Sequence, residues 1–337
     1  GTGAALVGTN QDNNARLYWD SLADDAGSNA VFTGVADGTA DRDFGPIPGY
    51  TEAPTPAPDD PAQDTQRVTV NGNTISGTGA VAILSGTVIF NTNQTYGGVT
   101  TISGGTLQLG NGGTTGTVAG TIVDNGVLIL NHSDSLSLAG LTGTGGVVVS
   151  SGTVSFKGTA NTYSGGTTLN GGTVTSGTDS AFSTGPLTIN GGLFTSSGTR
   201  AYTFSQLNIG GNFTLSGSGN ATFAMPVNLG STTPVITNSA GSGSRQFTGV
   251  VSGGAGVGIT FSGFTGGSQF YLGNQGNTFS GLLKISGGEV VVNDDGALGG
   301  ATSLTLDGSA SRLTLDVGRP LAGRDWASRG TRSLRAI

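Results

Sequence analysis

His132 is the only imidazole in the chain and lies in the segment Asn131-His132-Ser133-Asp134. A histidine near a serine could serve as the general base of a nucleophilic hydrolase. However, the G-x-S-x-G turn that exposes such a serine in many hydrolases occurs nowhere in the chain. We therefore interpret this segment as a polar turn between Leu130 and Leu136.

Carboxylates are the other candidate groups, because glycan-cleaving β-stranded enzymes use clustered carboxylates, a calcium ion or a positioned base. Residues 67–311 contain seven of them: Asp124, Asp134, Asp179, Glu289, Asp294, Asp295 and Asp307. Asp294 and Asp295 are adjacent and Glu289 is near, so a solvated turn, a calcium site and a catalytic corner are the alternatives. Consecutive strand residues face opposite sides, which favours the solvated turn.

The remaining motif searches point away from cofactor chemistry. The calcium-binding pattern G-G-x-G-x-D, the dinucleotide pattern G-x-G-x-x-G and the P-loop are all absent. Cysteine is absent as well, which excludes disulfides, thiolate metal sites and thiol catalysis. The sequence thus predicts a non-enzymatic protein with no catalytic, cofactor-binding or metal-binding residues.

Composition narrows the class of protein. Glycine accounts for 64 of 337 residues, far above the average share of about 7%. The glycines follow no collagen-like register, and the 34% hydrophobic content argues against disorder. No run of 18 apolar residues exists, so no transmembrane helix is expected. The start at Gly1, without a leader-like segment, suggests a processed or excised piece.

Charge divides the chain into three parts. Residues 1–66 carry a balance of -9, residues 67–311 a balance of -2 and residues 312–337 a balance of +4, within a total of -7. Residues 46–64 are proline-rich and acidic, which favours an extended linker. We expect an acidic N-terminal arm at 1–66, a central domain at 67–316 and an arginine-rich tail at 317–337. Within the arm, strands are expected near Ala15–Trp19 and Ala30–Thr33.

From Arg67 onward, short strands alternate with glycine corners, as in Thr-Leu-Asn-Gly171-Gly-Thr-Val. The spacing of these corners indicates a unit of 20 to 24 residues. The corners of this type are Gly104, Gly171, Gly191, Gly287 and Gly308, with looser ones at Gly86, Gly126, Gly152, Gly210 and Gly253. Such a period in an all-strand chain is typical of a solenoid.

The repeat favours a parallel β-helix of roughly 11 coils. Inward apolar pairs such as Val154 and Phe156, Leu136 and Leu138, or Phe213 and Leu215 cannot be buried by one unit alone. Glycine suits the corners because turns there require positive φ. A leucine-rich repeat would need a helical segment in each unit, which the sequence lacks. A Greek-key sandwich is the alternative fold, although it does not demand regular corner spacing.

A longer motif, NTYSGGTTL, occurs at residues 161–169, with relatives QTYGGVTTI at 94–102 and NTFSGLLKI at 277–285. The stretches at 105–113 and 295–299 (DGALG) accompany it. These residues resemble the autotransporter-associated β-strand repeat, also called the passenger-associated transport repeat, of type V secreted proteins in Gram-negative bacteria. The resemblance covers about residues 90–317 and implies a right-handed parallel β-helix exported to the cell surface. The arginine-rich ending departs from that family's architecture.

The three aromatic residues of this motif, Tyr96, Tyr163 and Phe279, are expected in the core or in stacking between coils rather than in carbohydrate binding. The arginine-rich tail could bind a polyanion, pair with the acidic arm of a neighbouring molecule or lack structure. Nucleic acid is disfavoured because the whole chain is acidic.

Three functions compete: an extracellular structural or adhesive protein with a cell-surface or glycan receptor, a subunit that self-associates end to end into fibres, and a glycan-binding or glycan-degrading β-helix. The first two are favoured together, at the outer surface of a Gram-negative bacterium.

Overall fold

The computed structural model describes residues 74–84, 86–156, 161–239, 243–293 and 295–315, together with the backbone of five strands outside those ranges. The chain forms two compact units. Unit 1 comprises Gly1–Asp134 and Leu141–Gly146, and unit 2 comprises Ser135–Gly140 and Val147–Ile337. The division of the chain at residues 66 and 316 remains a prediction.

Unit 1 contains two sheets. One has the order β1-β4-β6-β8-β10 and the other has the order β2-β3-β5-β7-β9. The strands are β1 Gly8–Asn10, β2 Ala15–Asp20, β3 Asn29–Gly34, β4 Arg67–Val70, β5 Val81–Ile83, β6 Thr87–Phe90, β7 Thr100–Ile102, β8 Thr106–Leu109, β9 Ile122–Asp124 and β10 Val127–Leu138.

Unit 2 contains the remaining strands: β11 Gly146–Phe156, β12 Thr167–Leu169, β13 Thr173–Ser176, β14 Leu187–Ile189, β15 Leu193–Ser196, β16 Arg200–Tyr202, β17 Leu207–Ile209, β18 Phe213–Gly217, β19 Ala221–Phe223, β20 Val227–Asn228, β21 Val235–Asn238, β22 Arg245–Phe247, β23 Val251–Ser252, β24 Ile259–Leu272, β25 Leu282–Val292, β26 Ser303–Leu315 and β27 Leu334–Ala336. A 3₁₀ turn spans Asp295–Leu298.

The strands of unit 2 form three parallel ladders. The first ladder consists of β12, β14, β17, β20 and β23. The second ladder consists of β13, β15, β18 and β21, followed by the first halves of β24, β25 and β26. The third runs β16-β19-β22 and then the second halves of β24, β25 and β26 to β27. We call the outward sides of these ladders the first, second and third faces.

The predicted all-β solenoid with parallel stacked coils, about 11 turns in number, is confirmed. Residues paired between successive coils lie 19 to 25 apart in sequence, for example Thr87 with Thr106 and Thr237 with Ser262. A Greek-key sandwich is wrong because its strands would pair antiparallel. The right-handed winding remains what the family resemblance implies.

Side-chain alternation places the apolar residues inside the coils. Val154, Phe156, Phe213 and Leu215 are buried as expected, whereas Leu136 is only half-buried. Aromatic rings stack along the core of unit 2, and Phe223, Phe247 and Phe270 follow one another with centroids 5.6 and 4.8 Å apart. Edge-to-face pairs of this kind add to the free energy of burial.

The glycine corners exist, and Gly287 and Gly308 have the expected positive φ, but at Gly171 and Gly191 the positive φ falls one residue later than predicted. Gly172 and Gly192 have φ of 71° and 84°, whereas Gly171 and Gly191 do not have a positive φ. A Cβ on Gly192 would lie 2.6 Å from the Gly172 carbonyl oxygen of the preceding coil. At these two corners the second glycine is therefore the one that the turn requires.

The N-terminal region is more regular than expected. Both predicted strands are present as β2 and β3, which pair antiparallel, and β3 continues in parallel onto β5. β1 pairs antiparallel with β4. The N-terminal arm, expected to be irregular outside its two predicted strands, therefore contains a third strand, β1.

The chain end differs from expectation in one respect. Leu334–Ala336 adds a strand to β26 in a region where no strand was predicted. The proline-rich linker at 46–64 and most of the arginine-rich tail lie outside the described residues. No helix in the described part of the chain is long and apolar enough to cross a membrane.

Candidate functional site

The aromatic residues of the repeated motif are buried, as predicted. Tyr96, Tyr163 and Phe279 are each at most 1% exposed. The hydroxyls of Tyr96 and Tyr163 each lie 2.5 Å from the hydroxyl of a threonine four residues later, Thr100 and Thr167. Phe279 has no hydroxyl, and buried Leu283 occupies the corresponding position. The motif thus matches each ring to a partner of suitable polarity inside the core.

The amide that begins the motif bridges neighbouring coils. Asn277 accepts a hydrogen bond from the Val251 amide at 2.8 Å and donates to the Ala297 carbonyl at 2.7 Å. Asn161 likewise donates to the Ala181 carbonyl at 3.4 Å. Gln94 accepts from the Ile75 amide at 2.7 Å. The motif is consequently explained by fold stability, since buried backbone groups need partners.

A second copy of the DGALG turn is present that the motif pattern does not reveal. Residues 179–183 (DSAFS) match residues 295–299, and the central alanines, Ala181 and Ala297, both accept the asparagine bonds. Ser183 has φ of 56° and Gly299 has φ of 59°. Ser183 is the only non-glycine residue with positive φ among the described residues. The replaced glycines hide this copy from a motif search.

The interpretation of residues 131–134 as a polar turn is wrong. They lie within β10, where Leu128, Leu130 and His132 all point inward and are buried. His132 Nδ1 is 3.1 Å from Asp134 Oδ1. A Cβ on Gly110 would come within 2.6 Å of the imidazole, so the ring packs directly on the neighbouring backbone. The continued alternation of β10 is the signal that predicts this burial.

Asp124 is the second inward polar residue in the same coil. It occupies the ladder position of Ile83 and Ile102 and is fully buried. Its Oδ1 accepts the Gly126 amide at 3.0 Å, while its Oδ2 has no hydrogen-bond partner. Burial raises the pKa of this carboxyl to about 6, against the smaller lowering effect of the Gly126 bond. Asp124 therefore holds its proton until near neutral pH.

Of the possible acidic corner of Glu289, Asp294 and Asp295, the structure describes only the Glu289 side chain. Glu289 accepts hydrogen bonds from Gln269 Nε2, at 2.7 Å, and from the Thr314 hydroxyl. Burial alone would raise the pKa of Glu289, but these bonds and the charge of Arg312 hold it below its usual value. Asp294 and the Asp295 side chain lie outside the described residues. In the described ranges, no three His, Asp or Glu side chains are placed to hold a metal ion.

Two arginines on the third ladder were not singled out by the sequence. Arg200 and Arg245 occupy the same ladder position, with Ala221 between them. Arg245 is fully buried and donates to the carbonyls of Gly217, Gly219 and Gly243 at 2.8, 2.6 and 2.9 Å. Arg200 donates to the Gly177 carbonyl at 2.7 Å. These guanidinium groups satisfy the glycine carbonyls of neighbouring corners.

The first and second faces of unit 2 present ordered rows of outward side chains, which are polar except for Leu193. The first face has the row Thr168, Thr188, Asn208, Asn228 and Ser252, and the second has Thr153, Thr173, Leu193, Thr214, Thr237, Ser262, Ser286 and Asp307. Successive members are separated by the strand spacing of about 4.8 Å. The described outer surface therefore offers hydroxyl and amide groups at regular intervals.

Comparison with known proteins gives one informative match. A segment of 48 residues is 50% identical to the adhesin BmaC autotransporter of Brucella suis biovar 1 (strain 1330). That segment is 14% of this chain, and the chain spans about 1% of the length of that adhesin. No protein-family model and no solved structure matches the chain.

Together, the partial match and the solenoid fit a passenger-like β-helix.

Proposed function

We propose that this chain is part of a non-enzymatic adhesive β-solenoid, displayed on the outer surface of a Gram-negative bacterium. The observation that supports this proposal most directly is the 50% identity to an autotransporter adhesin in a chain of stacked parallel coils. The motif residues are used for packing, which leaves the outward side chains free to vary with the binding partner.

The outer faces also support a role in adhesion. Their hydroxyl and amide groups repeat along the coils, and the described carboxylates are dispersed or engaged in hydrogen bonds. An extended surface of this kind can make many individually modest contacts. Multiple simultaneous contacts raise avidity without requiring a deep pocket.

Adhesion can be tested with beads coated with the intact chain and applied to host cells and extracellular-matrix films. We expect more retention than for beads coated with a non-adhesive β-solenoid at equal density. Retention equal to the control on every surface would overturn the adhesive proposal.

The non-enzymatic part has a separate test. The chain is incubated with a panel of polysaccharides, and new reducing ends or unsaturated uronic acids are measured. We expect no turnover. Depolymerisation that is lost in Asp294→Asn would overturn this part, whereas loss in His132→Ala needs a folding control because His132 is buried.

We also propose that the chain self-associates end to end. The net charge is -9 in residues 1–66 and +4 in residues 312–337, so the two ends of neighbouring molecules would attract each other. Deleting residues 1–66 is a poor test, since β1 and β3 pair with β4 and β5. Substituting the tail arginines Arg319, Arg324 and Arg329 with Gln preserves those pairings. Light scattering should show association at low salt that falls with added salt and with these substitutions. A monomer under all conditions would exclude this mode.

A further inference from the structure

Tyr271 differs from every other aromatic residue that the structure describes. It lies in β24 and is half-buried, whereas all other described Phe and Tyr rings are buried. Core packing therefore does not explain its ring. An aromatic ring on the outside of a solenoid exposes apolar area and a polarised face that a ligand can use.

Planar polar side chains flank this ring on the third face, where its other ladder neighbour, Val291, is buried. Gln246 is paired with Tyr271 across the ladder, and Gln269 lies two residues before it on the same side of β24. Gln269 is paired with Glu289, which in turn is paired with exposed Arg312. We call Gln246, Gln269, Tyr271, Glu289 and Arg312 the Tyr271 patch.

A chain of hydrogen bonds orders three side chains of the patch, those of Tyr271, Gln269 and Glu289. The Tyr271 hydroxyl donates to Gln269 Oε1 at 2.6 Å, and Gln269 Nε2 donates to Glu289 Oε2 at 2.7 Å. The Thr314 hydroxyl donates to the other Glu289 oxygen. Because the side chains are already ordered, a ligand would meet a surface that loses little further rotamer entropy on binding.

We propose that the Tyr271 patch is a glycan-binding site, in which a sugar ring stacks on Tyr271 and its hydroxyls bond to the flanking amide, carboxylate and guanidinium groups. The proposal rests on the adhesive function proposed above and names its ligand class. The apolar C–H face of a sugar ring complements an aromatic face, and adjacent sugar hydroxyls complement planar side-chain groups with paired donors or acceptors.

A protein partner fits this surface less well. Stable protein interfaces bury about 800 Å² on each partner and have an apolar centre. The exposed large apolar side chains in the described residues are Leu84, Val99 and Val250. Leu84 and Val99 belong to unit 1, and Val250 directly precedes β23 of the first ladder. Apart from the buried Val291, the Tyr271 ring thus lies among polar groups, which suits a sugar.

The first experiment applies the intact chain to a printed array of neutral and acidic oligosaccharides. Bound oligosaccharides are then titrated calorimetrically in solution. We expect Tyr271→Leu to weaken affinity at least tenfold, and Tyr271→Trp to retain it because the ring remains. Tyr271→Phe should weaken affinity severalfold, because it keeps the ring but loses the bond to Gln269.

Gln108→Ala is the matched control, because Gln108 is also a half-buried outward strand residue but lies in β8 of unit 1, outside the polar rows of the first and second faces. It should leave affinity unchanged. Thermal unfolding of each variant checks the fold, and the retained binding of Tyr271→Trp separates loss of the ring from loss of the fold.

The outcomes distinguish this proposal from the adhesive function. Undiminished glycan binding by Tyr271→Leu overturns the site. So does an empty array when coated beads still adhere to protein films, since that result indicates a protein partner while the adhesive function stands. An empty array together with no bead retention overturns both.

Discussion

The buried carboxyl of Asp124 makes the stability of unit 1 depend on pH. Its pKa is about 6 in the folded chain and 3.8 in a model compound. Between these values the folded state binds the proton more tightly than the unfolded state, so stability falls as pH rises from about 4 to about 6. The shift corresponds to about 3 kcal/mol, at about 1.4 kcal/mol for each pH unit.

The substitution Asp124→Asn removes this titration while retaining an oxygen for the Gly126 amide. At pH 7, the variant lacks a buried charge and should be more stable than the parent chain. At pH 3.5, where the parent carboxyl is protonated, that advantage should disappear. The quantity to compare is the stability difference between variant and parent at pH 7 and at pH 3.5. The new amide hydrogens add a cost that does not vary with pH, so this cost cancels in the comparison.

Hydrogen exchange measured by mass spectrometry on peptides covering residues 122–146 reports local opening of this region. Other described titratable groups between residues 74 and 146 are Tyr96, His132 and Asp134. Asp179→Asn, at an exposed carboxylate in unit 2, is the control for a general effect of removing charge. If the difference in opening free energy between parent and Asp124→Asn changed by less than about 1 kcal/mol across this pH range, the inference of a proton-holding carboxyl would be refuted.

Three further predictions concern the coils and are measured by chemical unfolding. Gly192→Ala should lower the free energy of unfolding by about 2 kcal/mol or more, because the residue has φ of 84° and its Cβ would lie 2.6 Å from a carbonyl oxygen. The adjacent Gly191→Ala should cost clearly less, since its φ is not positive and its nearest contact would be 3.1 Å; equal costs would contradict the revised corner assignment. Ser183→Gly should stabilise the chain by up to about 1 kcal/mol, because glycine adopts positive φ more readily than serine, whereas Ser180→Gly should not stabilise it. A loss of stability in both variants would contradict the inference that Ser183 is strained. Asn277→Ala should cost about 2–4 kcal/mol because two buried backbone groups lose their partner, while Asn274→Ala, whose bonds are exposed, should cost less than about 1 kcal/mol. Similar costs for the two asparagines would contradict the coil-bridging role.

The solenoid could be predicted because its two determinants are local in sequence. Period-two alternation, as in Phe213-Thr-Leu215, indicates short strands, and glycine pairs at intervals of one coil indicate where the chain turns. Which glycine of a pair has positive φ depends on how the next coil approaches. Gly171 and Gly172 are adjacent in the sequence, and a Cβ on either would lie within 3 Å of a carbonyl oxygen of the preceding coil, but only Gly172 has positive φ.

The inward polar residues were harder to predict, because their partners come from distant parts of the chain. Arg245 is tolerated inside because carbonyls of Gly217 and Gly219, 28 and 26 residues earlier, accept its guanidinium. A polar residue after an apolar pair looks like the end of a strand, as His132 did after Leu128 and Leu130. The alternation of β10 predicts that His132 points inward, whereas the polarity of its side chain favours a turn. The prediction of a polar turn was wrong because it gave more weight to polarity.

The same reasoning explains why the repeated motif is a poor guide to the binding site. Tyr163, Asn161 and their counterparts recur because each coil must satisfy the same inward contacts, so resemblance between copies reports packing. A ligand site on a solenoid must instead use outward positions, where packing does not dictate the residue. Tyr271 is such a position: its ladder neighbours are Gln246 and Val291, and neither is aromatic. An outward ring that the repeat does not require, fixed by a chain of hydrogen bonds, therefore points to a role in binding more strongly than the motif does.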